Sequence, residues 1–166
     1  MASSLKNLSV FESAVPSAED LRIAIVVSEW NSSITEGLLK GAIQELRAAG
    51  CPDKNIILKR VPGAYELTLA CQLLCEHTDV DAVIALGCII KGETPHFDFI
   101  AMGVTTGINT VALEYNTPIA FGVLTTNTLE QAQDRSGGKL GNKGNEAAAA
   151  AIKMAILKID VEAEDE

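Results

Sequence analysis

The chain has 166 residues, 48% hydrophobic and 21% charged, enough for one domain with a substantial core and too apolar for a disordered chain. Its net charge of −9 argues against a broad basic face for nucleic acid, though not against a local cationic pocket for a small anion. No run of 18 or more apolar residues suggests a membrane span, and "MASSLKNLSVFESAVPSAED" lacks the apolar stretch of a secretory signal.

In chain order, residues 1–20 form an N-terminal extension, and "LRIAIVV" (21–27) is β-branched and apolar, predicting a buried strand. After "SEWN", Ile34, Leu38, Ala42, Ile43, Leu46 and Ala49 share a helical face that Gly50 stops. Ser33 and Glu36 have the spacing of a capping box. "NIILKRV" (55–61) predicts a second strand ending at Pro62-Gly63, and "AYELTLACQLLCEH" a second helix. Cys71 and Cys75 are four apart in that helix; with Cys51 and Cys88 they form no CxxC pair, which suits packing in a reducing cytoplasm better than disulfides or zinc.

"DAVIALGC" (81–88) predicts the third strand, and residues 95–114 a third helix weakened by Gly103 and Gly107. "PIAFGVLT" (118–125) predicts the fourth strand. A short helix (128–134), the glycine-rich loop "RSGGKLGNKG" and an alanine-rich helix (144–158) follow. Residues 21–158 thus read as one domain, and 159–166, "IDVEAEDE", as an acidic, solvated tail.

Strands alternating with helices imply an α/β fold with a four-stranded parallel sheet covered on both faces. Right-handed crossovers place every strand's C-terminal end on one edge, where ligands usually bind. That edge receives "SEWN", "VPGAYE", "GCIIKGETPH" and "FGVLTTN".

These loops hold the candidate chemistry, each beside a plainer alternative. Thr94-Pro95 fits a helix N-cap and first turn, whose free N–H groups and dipole make an anion site. Gly92 would let backbone approach that anion. A neutral His96 there could accept a proton; otherwise it is a surface residue on an ordinary capped helix. Trp30, the only tryptophan, could offer a ring for stacking or simply pack at an edge. Glu66 could cap its helix or accept hydrogen bonds from a polyol. Arg135, Lys139 and Lys143 could clamp an anion or form a solvated basic loop; "GNKG" lacks the Walker A arrangement.

"SEWN", "VPGAYEL", "ALGCIIKGETPHFDFI", "FGVLTTNTLEQAQDR" and "GGKLGNKGNEAA" occur in the order and context of the lumazine synthase family. The resemblance covers residues 21–158 and is specific because the motifs recur in order. It implies a flavodoxin-like three-layer sandwich and a transferase of riboflavin biosynthesis. Such an enzyme condenses 5-amino-6-(D-ribitylamino)uracil with 3,4-dihydroxy-2-butanone 4-phosphate, with no metal or organic cofactor. By motif, Trp30, more often phenylalanine in the family, takes the position that stacks on the pyrimidine, and Asn31 follows it. Gly63, Ala64 and Glu66 match the ribityl-binding segment, and Ile89 and Ile90 the wall around the heterocycle. Gly92, Glu93 and Thr94 match the phosphate loop, and His96 the proton-transfer residue.

Phe121, Arg135 and Lys143 match positions that act at a subunit boundary, Arg135 on phosphate and Lys143 on the pyrimidine. Cys88 stands where threonine or valine is common. Glu93 adds negative charge beside the phosphate, so only its backbone N–H suits the role. The resemblance also implies pentamers, with the short "GGKLGNKG" loop similar to that of 60-subunit icosahedral members, and riboflavin synthase as a further partner. A non-catalytic phosphometabolite-binding module and a structural shell are the rival expectations.

Overall fold

Alternate side chains of the central strands are buried on opposite faces, which a parallel sheet requires when helices cover both sides. The computed structural model describes residues 9–11 and 13–164. Its main elements are β1 (Ile23–Ser28), α1 (Ser32–Ala48), β2 (Ile56–Val61), α2 (Leu67–His77), β3 (Ala82–Ile90), α3 (His96–Glu114) and β4 (Ile119–Thr126). They are followed by α4 (Leu129–Arg135), β5 (Ser136–Gly138), β6 (Gly141–Asn142) and α5 (Lys143–Glu164).

The main sheet has four parallel strands in the order β2-β1-β3-β4, the expected flavodoxin-like arrangement. Ile23, Ile25, Val27, Ile84 and Leu86 join Leu38, Leu46, Ile152 and Ala155 in a core under α1 and α5. Ala24, Val26, Val83 and Ala85 face the other way, onto Leu67, Cys71, Val104 and Ile108 of α2 and α3. β2 is an edge strand, and its Lys59 and Arg60 are exposed, as suits an edge that must not recruit further strands.

Gly50 stops α1 as expected: at φ 88° it occupies the left-handed region, and the Cys51 N–H reaches back to the Leu46 carbonyl at 2.9 Å. Other local expectations are corrected. The Ser33–Glu36 capping box does not form. Asn31 is the N-cap, in the left-handed conformation (φ 60°) and without a side-chain cap, while Glu36 pairs with Arg60 on β2. Thr94 does not cap α3 either; Pro95 takes that position, with no side-chain cap, and His96 begins the helix. The glycine-rich loop contains a small antiparallel ribbon, β5–β6, which is too short for periodicity to reveal.

α5 extends to Glu164, six residues beyond the expected 158, and its end is exposed. Asp165 and Glu166 of the tail lie outside the described residues, as do 1–8 and 12 of the extension. The remainder of the extension packs onto the body: Ala18 is fully buried and donates its N–H to Ala49 at 2.8 Å. Lys153 bonds Ser13 Oγ at 2.8 Å and lies over the Phe11 ring. Among the described residues no helix is long and apolar enough to cross a membrane.

Candidate active site

The chain leaves β1 toward one face of the sheet and β3 toward the other, opening a crevice between their C-terminal ends. Three loops build its walls. Beyond β1, the Glu29 and Trp30 N–H groups donate to the Val61 and Pro62 carbonyls at 2.8 and 2.9 Å, prolonging the parallel pairing into the loop. The chain then turns through Asn31, whose Nδ2 donates to the Cys88 carbonyl at 3.0 Å and ties the β1 loop to β3. Asparagine tolerates the left-handed backbone that this turn demands.

The result is a cavity of about 300 Å³. Of the sequence candidates, Trp30, Asn31, Ala64, Ile89, Ile90, Gly92, Thr94 and His96 line it together. Trp30 is 67% exposed, so most of its ring is available to a ligand. A Cβ placed on Gly92 would meet nothing within 4 Å, so the chain itself does not fill the space above that backbone. With no side-chain cap on α3, first-turn N–H groups and the positive end of a 19-residue helix dipole are presented beside His96.

Other candidates lie apart. Glu93 is exposed and does not line the cavity. Glu66 turns back on its own loop, its Oε2 accepting the Gly63 N–H at 3.0 Å; this resembles the capping alternative, although the capped group precedes the helix. Phe121 lines a separate groove between α3, β4 and α5.

The cationic trio divides. Lys139 pairs with Asp134 at 3.0 Å at the surface. Arg135 and Lys143 share the Glu146 carboxylate at 2.8 and 3.1 Å, and Arg135 also donates to the Leu140 carbonyl at 2.7 Å. Arg135 is only 17% exposed, so it is no solvated loop residue. Ser9 Oγ completes this group, 3.0 Å from Glu146 Oε1.

Sequence reasoning missed Glu146, although its i,i+3 spacing from Lys143 on one helix was a usable signal. It also missed Tyr65, Phe97 and Ile100, which complete the cavity lining. The last two follow His96 within about a turn of α3, so helical spacing could have found them.

Cys88, in the cavity wall, has its thiol pushed up to about 11 by burial, and Cys71, in the core, is pushed up to about 12 by burial and then by Cys75. Both exceed the ordinary value of 9.0. Below about pH 9 folded and unfolded chains keep these thiols protonated, and stability is unaffected. Above it the unfolded chain releases protons that the folded chain retains, so stability falls as pH rises toward 11–12. Urea unfolding at pH 10 should show a loss of roughly 1 kcal/mol from Cys71, which Cys71→Ala abolishes. An equal decline in that variant would assign the loss to other groups.

Residues 20–158 match the family model described as 6,7-dimethyl-8-ribityllumazine synthase. A protein of that name from Porphyromonas gingivalis is 53% identical over 159 residues, covering 95% of this chain and 99% of the relative. One from Parabacteroides distasonis is 51% identical over 155 residues (93% and 97%), and one from Cytophaga hutchinsonii 53% over 154 residues (93% and 97%). Together with the flavodoxin-like sheet, this similarity across nearly the whole chain shows that it belongs to the 6,7-dimethyl-8-ribityllumazine synthase family.

Proposed function

We propose that this chain carries out its family's reaction in the crevice between β1 and β3, completed by Phe121, Arg135 and Lys143 from a second copy. The reaction condenses 5-amino-6-(D-ribitylamino)uracil with 3,4-dihydroxy-2-butanone 4-phosphate, releasing phosphate and two waters. The observation that carries this assignment of roles is the cavity itself, which joins an exposed aromatic ring, an imidazole and an uncapped helix N-terminus.

In this reading Trp30 stacks on the pyrimidine, Asn31 orders the β1 loop, and Ile89 and Ile90 wall the ring. Gly63, Ala64 and Glu66 form the segment along the ribityl chain, with Glu66 also bracing its turn. Gly92, Glu93 and Thr94 offer backbone to the phosphate at the α3 N-terminus. The Glu93 side chain, being exposed, can turn away from the anion.

The substrate amine attacks the ketone carbon, and the carbinolamine loses water to form an imine. Loss of an α-proton then expels phosphate with the bonding electrons of its C–O bond. The enol so formed takes up a proton at its terminal carbon and becomes a second carbonyl; the ribityl-bearing nitrogen attacks this carbonyl carbon, and loss of the second water closes the ring. Each step moves protons, which His96 can relay. The departing phosphate is held by the helix terminus and Arg135. Bringing two small reactants together supplies much of the remaining acceleration as effective molarity.

No protein cofactor enters these steps. Arg135 and Lys143 do not line the cavity of their own chain, which supports a site shared between copies. Pentamers, assembled into a 60-subunit shell, fit that requirement and the short loop at 137–144. The proposed setting is cytoplasmic, with riboflavin synthase as the enzyme that takes up the product.

Incubating the protein with both substrates should generate lumazine absorbance, and its absence in assembled protein would refute the reading. Light scattering tests the shell. Arg135→Ala should raise the KM for the butanone phosphate roughly tenfold or more, the scale of a lost charge-assisted contact. An unchanged KM would remove Arg135 from the site. Because the substitution also leaves Glu146 with one cation, a melting control belongs beside the kinetics.

A further inference from the structure

We infer that Gly63 is a positioning residue whose missing side chain sets the tilt of the Trp30 indole, an inference that rests on Trp30 being the stacking ring. A Cβ built on Gly63 would lie 2.5 Å from Trp30 Cε3 and 2.7 Å from Cζ3, closer than nonbonded carbons approach. The benzenoid part of the indole therefore occupies the space that a side chain at 63 would take.

The backbone on both sides of this contact is held. The Trp30 N–H donates to the Pro62 carbonyl at 2.9 Å, and the preceding Glu29 N–H to Val61 at 2.8 Å. From the other side, the Gly63 N–H donates to Glu66 Oε2 at 3.0 Å. The ring is the unrestrained party, being 67% exposed. Gly63 is also not among the glycines with positive φ, which are Gly50, Gly137 and Gly141, so alanine there brings no backbone strain. A methyl group at 63 would also lie 3.1 Å from Glu66 Oε2, a contact that the end of that flexible side chain relieves by a small shift, so the indole takes the main displacement. The methyl tips the ring away from the turn and spoils its parallel approach to a heterocycle lying in the cavity. Glycine is thus required here for a side-chain orientation and not for a turn.

The test is Gly63→Ala, alone and combined with Trp30→Ala, in the full assembled protein. Gly63→Ala should keep its circular dichroism and melting temperature. The fluorescence emission and acrylamide quenching of the sole tryptophan should change without any substrate present. The KM for the pyrimidine should rise roughly fivefold, the scale of a lost aromatic stacking contact, with kcat little altered. In the Trp30→Ala background the nearest neighbour left to the added methyl is Glu66 Oε2 at 3.1 Å, so Gly63→Ala should change KM less than twofold.

An equal KM penalty in both backgrounds would overturn the inference, because Gly63 would then act on substrate directly or through Glu66, and not through the ring. Unchanged tryptophan fluorescence, or a lost fold, would overturn it as well, since the ring was argued to be what yields. If Trp30→Ala alone leaves KM unaltered, the stacking assignment fails and the kinetic consequence with it; the fluorescence result still decides the Gly63–Trp30 contact.

Discussion

His96→Ala is expected to lower kcat by roughly 10²–10³-fold while leaving a measurable rate in the assembled protein. The residual rate is as informative as the loss. His96 begins α3 and lines the same cavity as Trp30, Ile89 and Ile90, so the groups proposed to hold the pyrimidine remain when the imidazole is removed. The α3 N-terminus also stays in place, because no side chain caps it and its N–H groups belong to the backbone. What disappears is the proton relay; what remains is juxtaposition of the reactants and an anion site. Steady-state kinetics with both substrates should show a large fall in kcat and KM values within a few-fold of the parent. Complete inactivity of correctly assembled protein would make His96 more than a proton carrier, whereas unchanged kcat would remove it from the chemistry.

The largest expected stability loss lies at the other face of the sheet, in Gly144→Ala. A Cβ at Gly144 would fall 1.9 Å from the Leu38 carbonyl oxygen and 2.7 Å from its carbon. The first turn of α5 therefore lies directly on the backbone of α1. Gly41 repeats the pattern one turn along α1, where a Cβ would fall 2.5 Å from the side chains of Asn142 and Asn145. Ala147, Ala148 and Ala151 continue the close seam, all nearly fully buried. The colliding atom at Gly144 is backbone and no rotamer change can relieve it, so the helices must separate along their length. We expect a cost of about 3 kcal/mol or more in urea unfolding, at the upper end for overpacking. Gly103→Ala is the contrast. Its nearest neighbour would be Tyr65 at 3.8 Å, so improved helix propensity should make it neutral or stabilising by up to about 1 kcal/mol. A loss below 1 kcal/mol at Gly144 would mean that α5 slides easily on α1.

The sheet was legible because its information is repetitive. Ile23, Ile25 and Val27 on one face and Ala24 and Val26 on the other are all buried, and a short run of β-branched residues reports this whatever the neighbours do. The expected strand ends fall within two residues of those observed. The details that failed are those in which a local rule met a competitor from elsewhere in the chain. Glu36 had the spacing to cap its own helix, but Arg60 on the adjacent strand offered a charged partner. Thr94 is a good cap by composition, yet Pro95 adopts helical dihedrals in its place. The long α5 was cut short because its acidic end resembles a tail, while alanine-rich packing upstream carries the helix on.

The site was legible in a different way. Loop composition identified residues of interest along one sheet edge, but not which of them meet. Trp30, Asn31, Ala64, Ile89, Ile90, Gly92, Thr94 and His96 converge. Arg135 and Lys143 carried the same sort of signal and converge instead on Glu146. Helical spacing could have paired Lys143 with Glu146, but no rule of spacing sends Arg135 to the same group, because that depends on how the chain folds back to bring in a carboxylate 11 residues beyond it.

That shared carboxylate bears on how turnover ends. If Arg135 takes the phosphate as proposed, a bare guanidinium there would bind inorganic phosphate as readily as the phosphate ester, and the product would linger. With Glu146 in contact, the guanidinium's charge is largely balanced, while its directed N–H groups could still orient an arriving ester. The freed anion would then face a competitor already at the guanidinium, so its departure would not leave that cation stripped of a partner. On the proposed reading the arrangement would trade affinity for release, a useful exchange where the leaving group is itself a product that must clear the site before the next cycle.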